Sequence, residues 1–253
     1  MLEIKSLNVT AENKEILKDF NLKINDGEIH VLMGRNGIGK STICKVLLKD
    51  ENYEIKNGNI LYNDEDVTSL NTYEMANLGF YLVNQTPLAI EGVTTAEMLR
   101  ASLLAKGEKT NIFEFSKELE SICEKLHLPK EYAHRDINVG MSGGERKKLE
   151  LIHMWMLKPK FIILDELDSG LDVDALKLVS ESLKEYYELY KPSILIVTHH
   201  PKILSSLTPD FVHVLDEGKI VKTGDLNLAL DIEKNGYSNI DKANLVSGQD
   251  KNE

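Results

Sequence analysis

The sequence predicts an α/β fold in which parallel strands alternate with helices. A short apolar run at residues 29–33 leads into the glycine-rich turn GRNGIGKS, and a helix-like stretch follows at residues 42–48. Two continuous apolar runs, at residues 161–164 and 194–197, are typical of parallel strands that are buried on both faces. Amphipathic helical stretches lie between such runs, so we expect a parallel sheet covered by helices.

The glycine-rich turn has the spacing of a phosphate-binding loop, G-x-x-x-x-G-K-[ST], between a strand and a helix. Glycines allow the loop to turn its N–H groups toward an anion, and the N-terminus of the next helix adds partial positive charge. We expect Lys40 to reach the terminal phosphates and the Ser41 hydroxyl to ligate magnesium. The predicted nucleotide-binding residues are Gly34, Arg35, Asn36, Gly37, Ile38, Gly39, Lys40, Ser41 and Thr42.

The remaining elements follow from hydrophobic periodicity and turn residues. Strands are predicted at residues 2–9, 16–24, 59–62, 78–83, 193–198 and 210–215, and a helix at residues 173–190. Between residues 88 and 157 the apolar residues take helical spacing, and Thr94 with Glu97 forms a capping box. We therefore expect one domain over residues 1–240, with an all-helical insertion at about residues 88–157, and a polar tail at residues 241–253.

Composition narrows the functional classes. The chain has 253 residues, 42% of them hydrophobic, and a formal net charge of −11, which argues against a broad nucleic-acid-binding surface. The longest aliphatic runs have the length of strands, and the N-terminus lacks the apolar core of a signal peptide. Cys44 and Cys123 lie far apart, without the spacing of a disulfide framework or a metal-binding cluster. We expect a soluble cytoplasmic protein; an organelle is the alternative if a transit peptide has been removed.

Two carboxylates end the apolar run at residues 161–164. Asp165 directly follows this run, where it can hold magnesium, and Glu166 is placed to orient and deprotonate a water molecule. Apolar strands also end in acidic turns for structural reasons, and for this pair alone that alternative is the more common one. Together with the phosphate loop, however, the pair indicates a site that hydrolyses a phosphate bond.

The stretch Met141-Ser142-Gly143-Gly144-Glu145 predicts a second anion-binding helix start. A capping box of Ser142 and Glu145 explains the motif structurally, but two consecutive glycines also expose several N–H groups. A nucleotide held by one phosphate loop needs no second site of this kind. With this motif the sequence resembles the ATP-binding cassette (ABC) ATPases, whose signature motif reads LSGGQ.

The other ABC motifs occur in the same order. Gln85 matches the residue that senses magnesium and the attacking water, residues 169–172 match the loop at the dimer interface, and His199 matches the histidine that contacts the γ-phosphate. The resemblance extends from Leu2 to about Gly224. It implies an ABC nucleotide-binding domain, with a P-loop α/β core, an antiparallel β subdomain and a helical insertion.

The resemblance also implies the chemistry. It implies Mg²⁺-dependent ATP hydrolysis, with catalytic roles for Glu166, His199 and Gln85, and a magnesium site formed by Ser41, Gln85 and Asp165. In this family two subunits pair head-to-tail. The residues that would contact ATP in trans are Ser142, Gly143, Gly144, Glu145 and Asp172.

One departure from the family concerns the base of the nucleotide. ABC ATPases often stack adenine on an aromatic residue of the first hairpin, but residues 8–14 contain none. Val9 and Ile16 are apolar residues of this hairpin, and we expect one of them to supply the surface instead.

Finer details separate this chain from most transporter ATPases of its size. Residues 167–172 read LDSGLD where transporter ATPases commonly continue Pro-Thr-Ser, and the signature reads SGGERKK rather than SGGQ-x-Q-R. These details resemble the SufC family, the ABC ATPases of SUF iron–sulfur cluster assembly. The resemblance implies a complex with SufB- and SufD-like proteins, on which the cluster is built. Two alternatives stay open: the ATPase subunit of an ABC membrane transporter, and a stand-alone regulatory ABC protein.

Overall fold

The computed structural model describes residues 1–199, 203–204 and 206–237. The predicted tail at residues 241–253 lies outside the described residues. The strands are β1 (Leu2–Ala11), β2 (Lys14–Ile24), β3 (Ile29–Met33), β4 (Glu54–Tyr62), β5 (Glu65–Asp66), β6 (Phe80–Val83), β7 (Ile90–Thr94), β8 (Asp136–Ile137), β9 (Phe161–Asp165), β10 (Ser193–Val197), β11 (Phe211–Asp216) and β12 (Lys219–Gly224). The helices are α1 (Lys40–Leu47), α2 (Thr72–Leu78), α3 (Thr95–Ala105), α4 (Ile112–Lys125), α5 (Gly143–Leu157), α6 (Val173–Tyr190) and α7 (Leu226–Asn235).

The chain divides into two compact units. The first unit consists of Met1–Met75 and Ser193–Glu253, and the second of Ala76–Pro192. The prediction of one domain over residues 1–240 stays a prediction.

The first unit contains an antiparallel sheet and a group of parallel strands. The antiparallel sheet has the strand order β2-β1-β4-β5. Strand β3 lies between β10 and β11 and is parallel to both, while β12 pairs with β11 in the antiparallel direction. All five residues of β3 and all five of β10 are buried, so the prediction of parallel strands from continuous apolar runs is confirmed.

The second unit pairs β6 with β9 in parallel, with Val83 opposite Leu164. Helices α3, α4 and α5 occupy most of the segment predicted to be all-helical, but that prediction is wrong in one respect. Strands β7 and β8 form a small antiparallel pair within this segment. These strands are short and partly exposed, so they lack the buried alternation that makes a strand recognisable in a sequence.

Two buried histidines of the first unit form a hydrogen-bonded chain. His30 Nε2 lies 2.9 Å from the Glu28 carboxylate, His30 Nδ1 lies 2.9 Å from His213 Nε2, and His213 Nδ1 lies 2.9 Å from the Thr223 hydroxyl. Burial lowers the pKa of both rings, and with both rings neutral His30 donates through Nε2 to the carboxylate, which can only accept, and accepts through Nδ1 from His213, which in turn accepts from Thr223. This order requires both rings to be neutral.

Acid is expected to destabilise the first unit through this pair. Burial lowers the pKa of His30, and burial together with the neighbouring His30 lowers the pKa of His213 to about 4. Such a histidine contributes stability that is complete above its unfolded pKa of 6.5 and is lost as the pH falls toward the folded value. For His213 the loss of unfolding free energy between pH 6.5 and about pH 5 is about 2 kcal/mol.

Urea unfolding at about pH 7 and about pH 5 measures this loss. In His213→Gln the fall in unfolding free energy between the two pH values should be about 2 kcal/mol smaller than in the wild type. Variants must be compared because Glu150, whose pKa burial raises to about 7, contributes with the opposite sign. His134→Gln, at a side chain that is 56% exposed, is the matched control and should follow the wild type. An unchanged pH dependence in His213→Gln would contradict the prediction.

Candidate active site

The phosphate loop connects β3 to α1 in the first unit. Gly37 and Gly39 have φ angles of 78° and 108°, a region that favours glycine. At Gly34 an added Cβ would lie 2.7 Å from the Leu215 carbonyl oxygen, so a side chain would displace the loop from the end of β11. The glycines therefore permit both the curvature of the loop and its close approach to the neighbouring strand.

Lys40 is enclosed by this loop. Its ammonium donates hydrogen bonds to the carbonyl oxygens of Gly34 at 2.9 Å and Arg35 at 3.0 Å, and the residue is only 5% exposed. The loop thus forms a ring around a cation, and a bound phosphate would compete with the two carbonyls for that charge.

The start of α1 suits an anion. Within the described part of the chain, Gly39 provides no side-chain cap for α1 and the first helical turn carries no acidic residue. The positive end of the helix dipole therefore favours phosphate oxygens at this helix start. The Ser41 hydroxyl, in the same turn, is a hard oxygen donor of the kind that magnesium prefers. This donor set fits a nucleotide triphosphate and Mg²⁺.

The structure separates the two candidates for the adenine contact. Val9 is completely buried in the antiparallel sheet, so it cannot offer surface to a base and that expectation is wrong for Val9. Ile16 is half-buried and lies beside the phosphate loop, where its Cγ2 would be 3.0 Å from a Cβ on Gly39. Ile16 therefore remains the apolar neighbour of the loop.

His199 and the phosphate loop follow adjacent parallel strands. Val197 of β10 lies opposite Leu32 of β3, and the Thr198 N–H donates to the Leu32 carbonyl at 3.3 Å. The carboxyl ends of parallel strands lie at the same edge of a sheet. His199 and Gly34 follow these two strands, so both lie at that edge.

Gln85 and Glu166 meet in the second unit for the same reason. They follow β6 and β9, which are adjacent and parallel, and the Gln85 amide donates a hydrogen bond to the Glu166 carboxylate. Glu166 has a φ angle of 45°, in the left-handed region that costs a residue with a side chain about 1–2 kcal/mol. Asp165, directly before it, is buried at 6% exposure and ends β9. The structure therefore places three predicted residues at one sheet edge, with one of them in a strained conformation.

Sequence reasoning missed a pair of buried charges on α5. Lys147 is 3% exposed and donates to the Asn84 carbonyl at 2.6 Å, and Glu150 is 8% exposed. Burial lowers the pKa of Lys147 to about 8, against the opposing effect of nearby carboxylates, and burial raises the pKa of Glu150 to about 7. The carboxylates that act on Lys147 are those of Glu150, Asp165, Asp168 and Glu166. The only sequence signal was a lysine in SGGERKK at a position where a glutamine was expected.

The signature residues form the N-terminal cap of α5. The Glu145 N–H donates to Ser142 Oγ at 3.3 Å, while the Ser142 N–H and hydroxyl donate to one Glu145 oxygen at 2.8 and 2.7 Å. Tyr132 donates to the other oxygen at 2.6 Å, and this bond is the largest cause that lowers the pKa of Glu145 to about 2. A Cβ added to Gly143 would meet no described atom within 4 Å. Four hydrogen bonds hold the cap, and the space beside Gly143 is clear of described atoms.

Asp172 caps another helix. Its carboxylate accepts a hydrogen bond from the Ala175 N–H at 2.7 Å at the start of α6, and the residue is exposed. Contacts of Asp172 and the signature residues with nucleotide in trans stay predictions.

Tyr237, after α7, was also missed. Its hydroxyl is buried without a hydrogen-bond partner in the described part of the chain, and the Arg35 guanidinium lies 6.0 Å from the centre of its ring. The aromatic ring therefore supports the phosphate loop from the C-terminal end of the first unit.

Two other kinds of site are absent from residues 1–199, 203–204 and 206–237. These residues contain no group of three or more His, Cys, Asp or Glu side chains arranged to hold a metal ion. None of their helices has the length and apolar character needed to cross a membrane.

Known proteins resemble this chain over nearly its whole length. A probable ABC transporter ATP-binding protein of Streptococcus pyogenes serotype M3 is 42% identical over 243 residues, which are 95% of this chain and 94% of that protein. A probable ATP-dependent transporter, ycf16, of Antithamnion sp. is 39% identical over 247 residues, or 96% and 98% of the two chains. Vegetative protein 296 of Bacillus subtilis strain 168 is 41% identical over 239 residues, or 93% and 91%.

Solved structures share the fold. The dimeric post-hydrolysis structure of the ATP-binding cassette MJ0796, bound to ADP and Pi, matches with a TM-score of 0.77 at 20% identity and covers 89% of this chain and 99% of its own. The prediction of an ABC nucleotide-binding fold is therefore confirmed. The ABC transporter family matches residues 17–169, which include the phosphate loop, the signature and both strand-end carboxylates. The chain belongs to the ABC transporter family of ATP-binding cassettes, and it is an ATPase that uses ATP and Mg²⁺.

Proposed function

We propose that this chain is a SufC-like ATPase that drives conformational change in a cytoplasmic SufB/SufD-type complex for iron–sulfur cluster assembly. The observation that carries this proposal is the buried Lys147. It stands where a transporter-type signature has a glutamine, and the carboxylates at the end of β9 act on its pKa against the effect of burial, so its cation lies within electrostatic range of them. The lysine by which SGGERKK differs from the transporter signature is therefore buried close to the proposed catalytic residues of the second unit and does not lie on an exposed surface.

Other parts of the sequence support the same assignment. Residues 167–172, LDSGLD, continue directly from Glu166, and Asp168 is one of the carboxylates that act on Lys147. The two features that distinguish the sequence from transporter ATPases therefore interact with each other. Their interaction is the reason to treat them as one functional difference.

The proposed mechanism assigns each residue a step. Lys40 and the N–H groups of the phosphate loop neutralise the β- and γ-phosphates of ATP, and His199 contacts the γ-phosphate. Ser41, Gln85 and Asp165 would hold Mg²⁺, which would supply positive charge to the phosphate oxygens. Catalysis then consists mainly of positioning and charge stabilisation.

Glu166 activates the attacking water in this mechanism. One oxygen of its carboxylate accepts a hydrogen bond from the Gln85 amide. This bond orients the carboxylate, which can then take a proton from water. Water gives this proton to Glu166 as its oxygen attacks the γ-phosphorus in line with the leaving group. The bond between the γ-phosphorus and ADP breaks, which releases ADP and inorganic phosphate.

A second copy of the chain would complete each ATP site. The open Gly143 face of α5 supports a head-to-tail pairing, since a phosphate of a nucleotide held by another subunit could approach its N–H groups without a clash. The similar cassette MJ0796 is described as dimeric. Closure of two copies around ATP would then move the attached SufB- and SufD-like partners.

The ATPase subunit of a membrane transporter is the second candidate, and the names of the relatives favour it. Two of the relatives reported above carry the word transporter in their names. A functional difference between subfamilies of one fold is compatible with such similarity, because function depends on the site and the partners rather than on the fold.

Affinity purification of the tagged full chain from its own cells, with and without ATP, distinguishes the candidates. Soluble partners that carry iron and acid-labile sulfide would support the SUF assignment. Co-purification of a protein with several membrane spans would overturn it in favour of the transporter. Recovery of the chain without any partner in both conditions would overturn both in favour of a stand-alone protein.

A further inference from the structure

The helix cap at the signature has one hydrogen bond more than the same kind of cap at the start of α3. There the Thr94 hydroxyl and N–H donate to one Glu97 oxygen at 2.7 and 3.0 Å, and the Glu97 N–H donates to the Thr94 hydroxyl oxygen at 3.2 Å. Ser142 and Glu145 repeat these three bonds at the start of α5. Among the described residues, only Glu145 receives a further bond on its second carboxylate oxygen, from the Tyr132 hydroxyl at 2.6 Å. A cap of this kind forms without a tyrosine, so Tyr132 contributes something other than the cap itself.

Tyr132 is itself held in place. It is buried in the short helical turn at residues 130–134, which packs against α3 and α4. The Arg135 guanidinium lies 4.8 Å from the centre of its ring. The bond to Glu145 raises the pKa of Tyr132, so the hydroxyl keeps its proton and remains a donor. The tyrosine is therefore a fixed donor to Glu145.

Glu145 is ionised and can only accept hydrogen bonds. The bond from Tyr132 is the largest cause that lowers its pKa to about 2, followed by the bonds from Ser142. Burial acts in the opposite sense, and Lys148, three residues further along α5, favours the charge less than the hydrogen bonds do. The Ser142 hydroxyl has one proton, and in its 2.7 Å contact with an ionised carboxylate it must donate that proton to Glu145.

The direction of this bond affects how a phosphate could bind at the signature. Phosphate oxygens are also acceptors, so Ser142 can bond to one of them only by withdrawing its proton from Glu145. The carboxylate also brings negative charge to a helix start that would otherwise favour an anion. No described atom lies within 4 Å of a Cβ added to Gly143, so the approach is open sterically. Charge and hydrogen bonding oppose the phosphate, and shape does not.

We propose that Tyr132 is a positioning residue that holds the Glu145 carboxylate on Ser142 and thereby weakens the ATP-dependent pairing of two copies of this chain. The inference rests on the proposed function for the contact between the signature and the nucleotide of another copy. It adds a residue that touches no nucleotide but sets the protein concentration at which two copies pair. The family signature LSGGQ has a neutral glutamine at the position of Glu145, and glutamine can cap a helix equally well.

The ATPase rate per subunit, measured against protein concentration at saturating ATP and Mg²⁺, tests the inference. The concentration at half-maximal rate reports pairing, and the plateau reports kcat of the paired form. Glu145→Gln keeps the length of the side chain and an acceptor oxygen but removes the charge. We expect the half-maximal concentration to fall about 10-fold, because one unit of charge near a phosphate at a protein surface is removed. The difference from the wild type should shrink at about 1 M salt, where charges are screened over about 3 Å.

Tyr132→Phe removes the hydroxyl but keeps the ring. The half-maximal concentration should fall about threefold at a similar plateau, because Glu145 keeps its charge but is no longer held on Ser142. In a Glu145→Gln background the same change should have no further effect, since no charge is left to hold. Glu97→Gln, the same substitution in the cap of α3, and Tyr190→Phe, at a 45% exposed tyrosine of α6, are the matched controls and should follow the wild type.

Hydrogen–deuterium exchange without nucleotide gives a readout that does not depend on activity. A peptide that covers residues 141–146 should exchange faster in Tyr132→Phe than in the wild type, and thermal unfolding shows whether each variant is folded. If Tyr132→Phe does not fold, Glu145→Asp provides the comparison. Its side chain is one methylene shorter, so it keeps the charge but loses the reach to Tyr132.

An unchanged or higher half-maximal concentration in a folded Glu145→Gln would overturn the inference. An unchanged half-maximal concentration in a folded Tyr132→Phe would also overturn it, as would a lower plateau alone, since that would indicate a structural role only. Failure of the proposed head-to-tail pairing is distinguishable. In that case the wild-type rate per subunit would not depend on protein concentration, whereas failure of this inference alone leaves that dependence intact.

Discussion

Replacing Glu166 with glutamine is expected to lower ATP turnover about 10²–10⁴-fold, the usual contribution of a general base, while ATP binding persists. Glutamine keeps the shape of the side chain and can still contact Gln85, but it cannot take a proton from water. The phosphate loop, where we expect the phosphates of ATP to bind, belongs to the other compact unit. Single-turnover hydrolysis of ATP and equilibrium binding of a fluorescent ATP analogue measure the two quantities separately.

Glu217→Gln is the matched control for this variant. Glu217 also has a φ angle of 45°, so the same substitution is made in the same backbone conformation, but it lies in the turn between β11 and β12. Turnover in Glu217→Gln should equal that of the wild type. Hydrolysis at the wild-type rate in Glu166→Gln would remove Glu166 from the mechanism, and loss of ATP binding would mean that the residue acts in binding instead.

The strand–loop–helix arrangement of the phosphate loop could be predicted because its physical requirements are local. Within about twenty consecutive residues the sequence shows a strand buried on both faces, glycines suited to positive φ and the start of a helix. Helix α6 likewise has the bounds that its periodicity predicts. The positions of Gln85 and Glu166 could be predicted for a related reason. Each directly follows a strand, and parallel neighbours bring strand ends together.

The buried charges of α5 could not be predicted, because periodicity assigns charged residues to the exposed side of a helix. The helical spacing of apolar residues between residues 88 and 157 implies one apolar face for each helix, but nine residues of α5 are buried, including Lys147, Glu150 and His153. Their burial depends on what the fold packs against each side of the helix. Only the contact with the Asn84 backbone reveals why charge is tolerated there.

Tyr237 shows the same limitation at longer range. It is separated from Arg35 by about two hundred residues, and no local pattern relates a tyrosine after α7 to the phosphate loop. Strand β12 and helix α7, which bring it there, are short and were not predicted. A residue that contacts a loop from a distant part of the chain can be identified from the three-dimensional structure, but a local sequence motif does not reveal it.

Replacing Lys40 with alanine is expected to weaken ATP binding about 10- to 100-fold, since a hydrogen bond to a charged group contributes about 1.5–3 kcal/mol. Lys40 is the buried cation at the centre of the phosphate loop, and its bonds to Gly34 and Arg35 show that the loop is already shaped around its charge. Titration with a fluorescent ATP analogue gives the dissociation constant, and thermal unfolding shows whether the variant is folded.

Lys45→Ala is the matched control, because it removes an exposed lysine from the last turn of the same helix, where the ammonium lies 5.9 Å from the Tyr53 ring. Its dissociation constant for ATP should stay within twofold of the wild type. If a folded Lys40→Ala binds ATP normally, the loop does not hold the phosphates. If Lys40→Ala binds ATP weakly and Glu166→Gln binds it normally, the two variants separate two functions. ATP binding then depends on the phosphate loop of the first unit, and activation of water depends on Glu166 of the second.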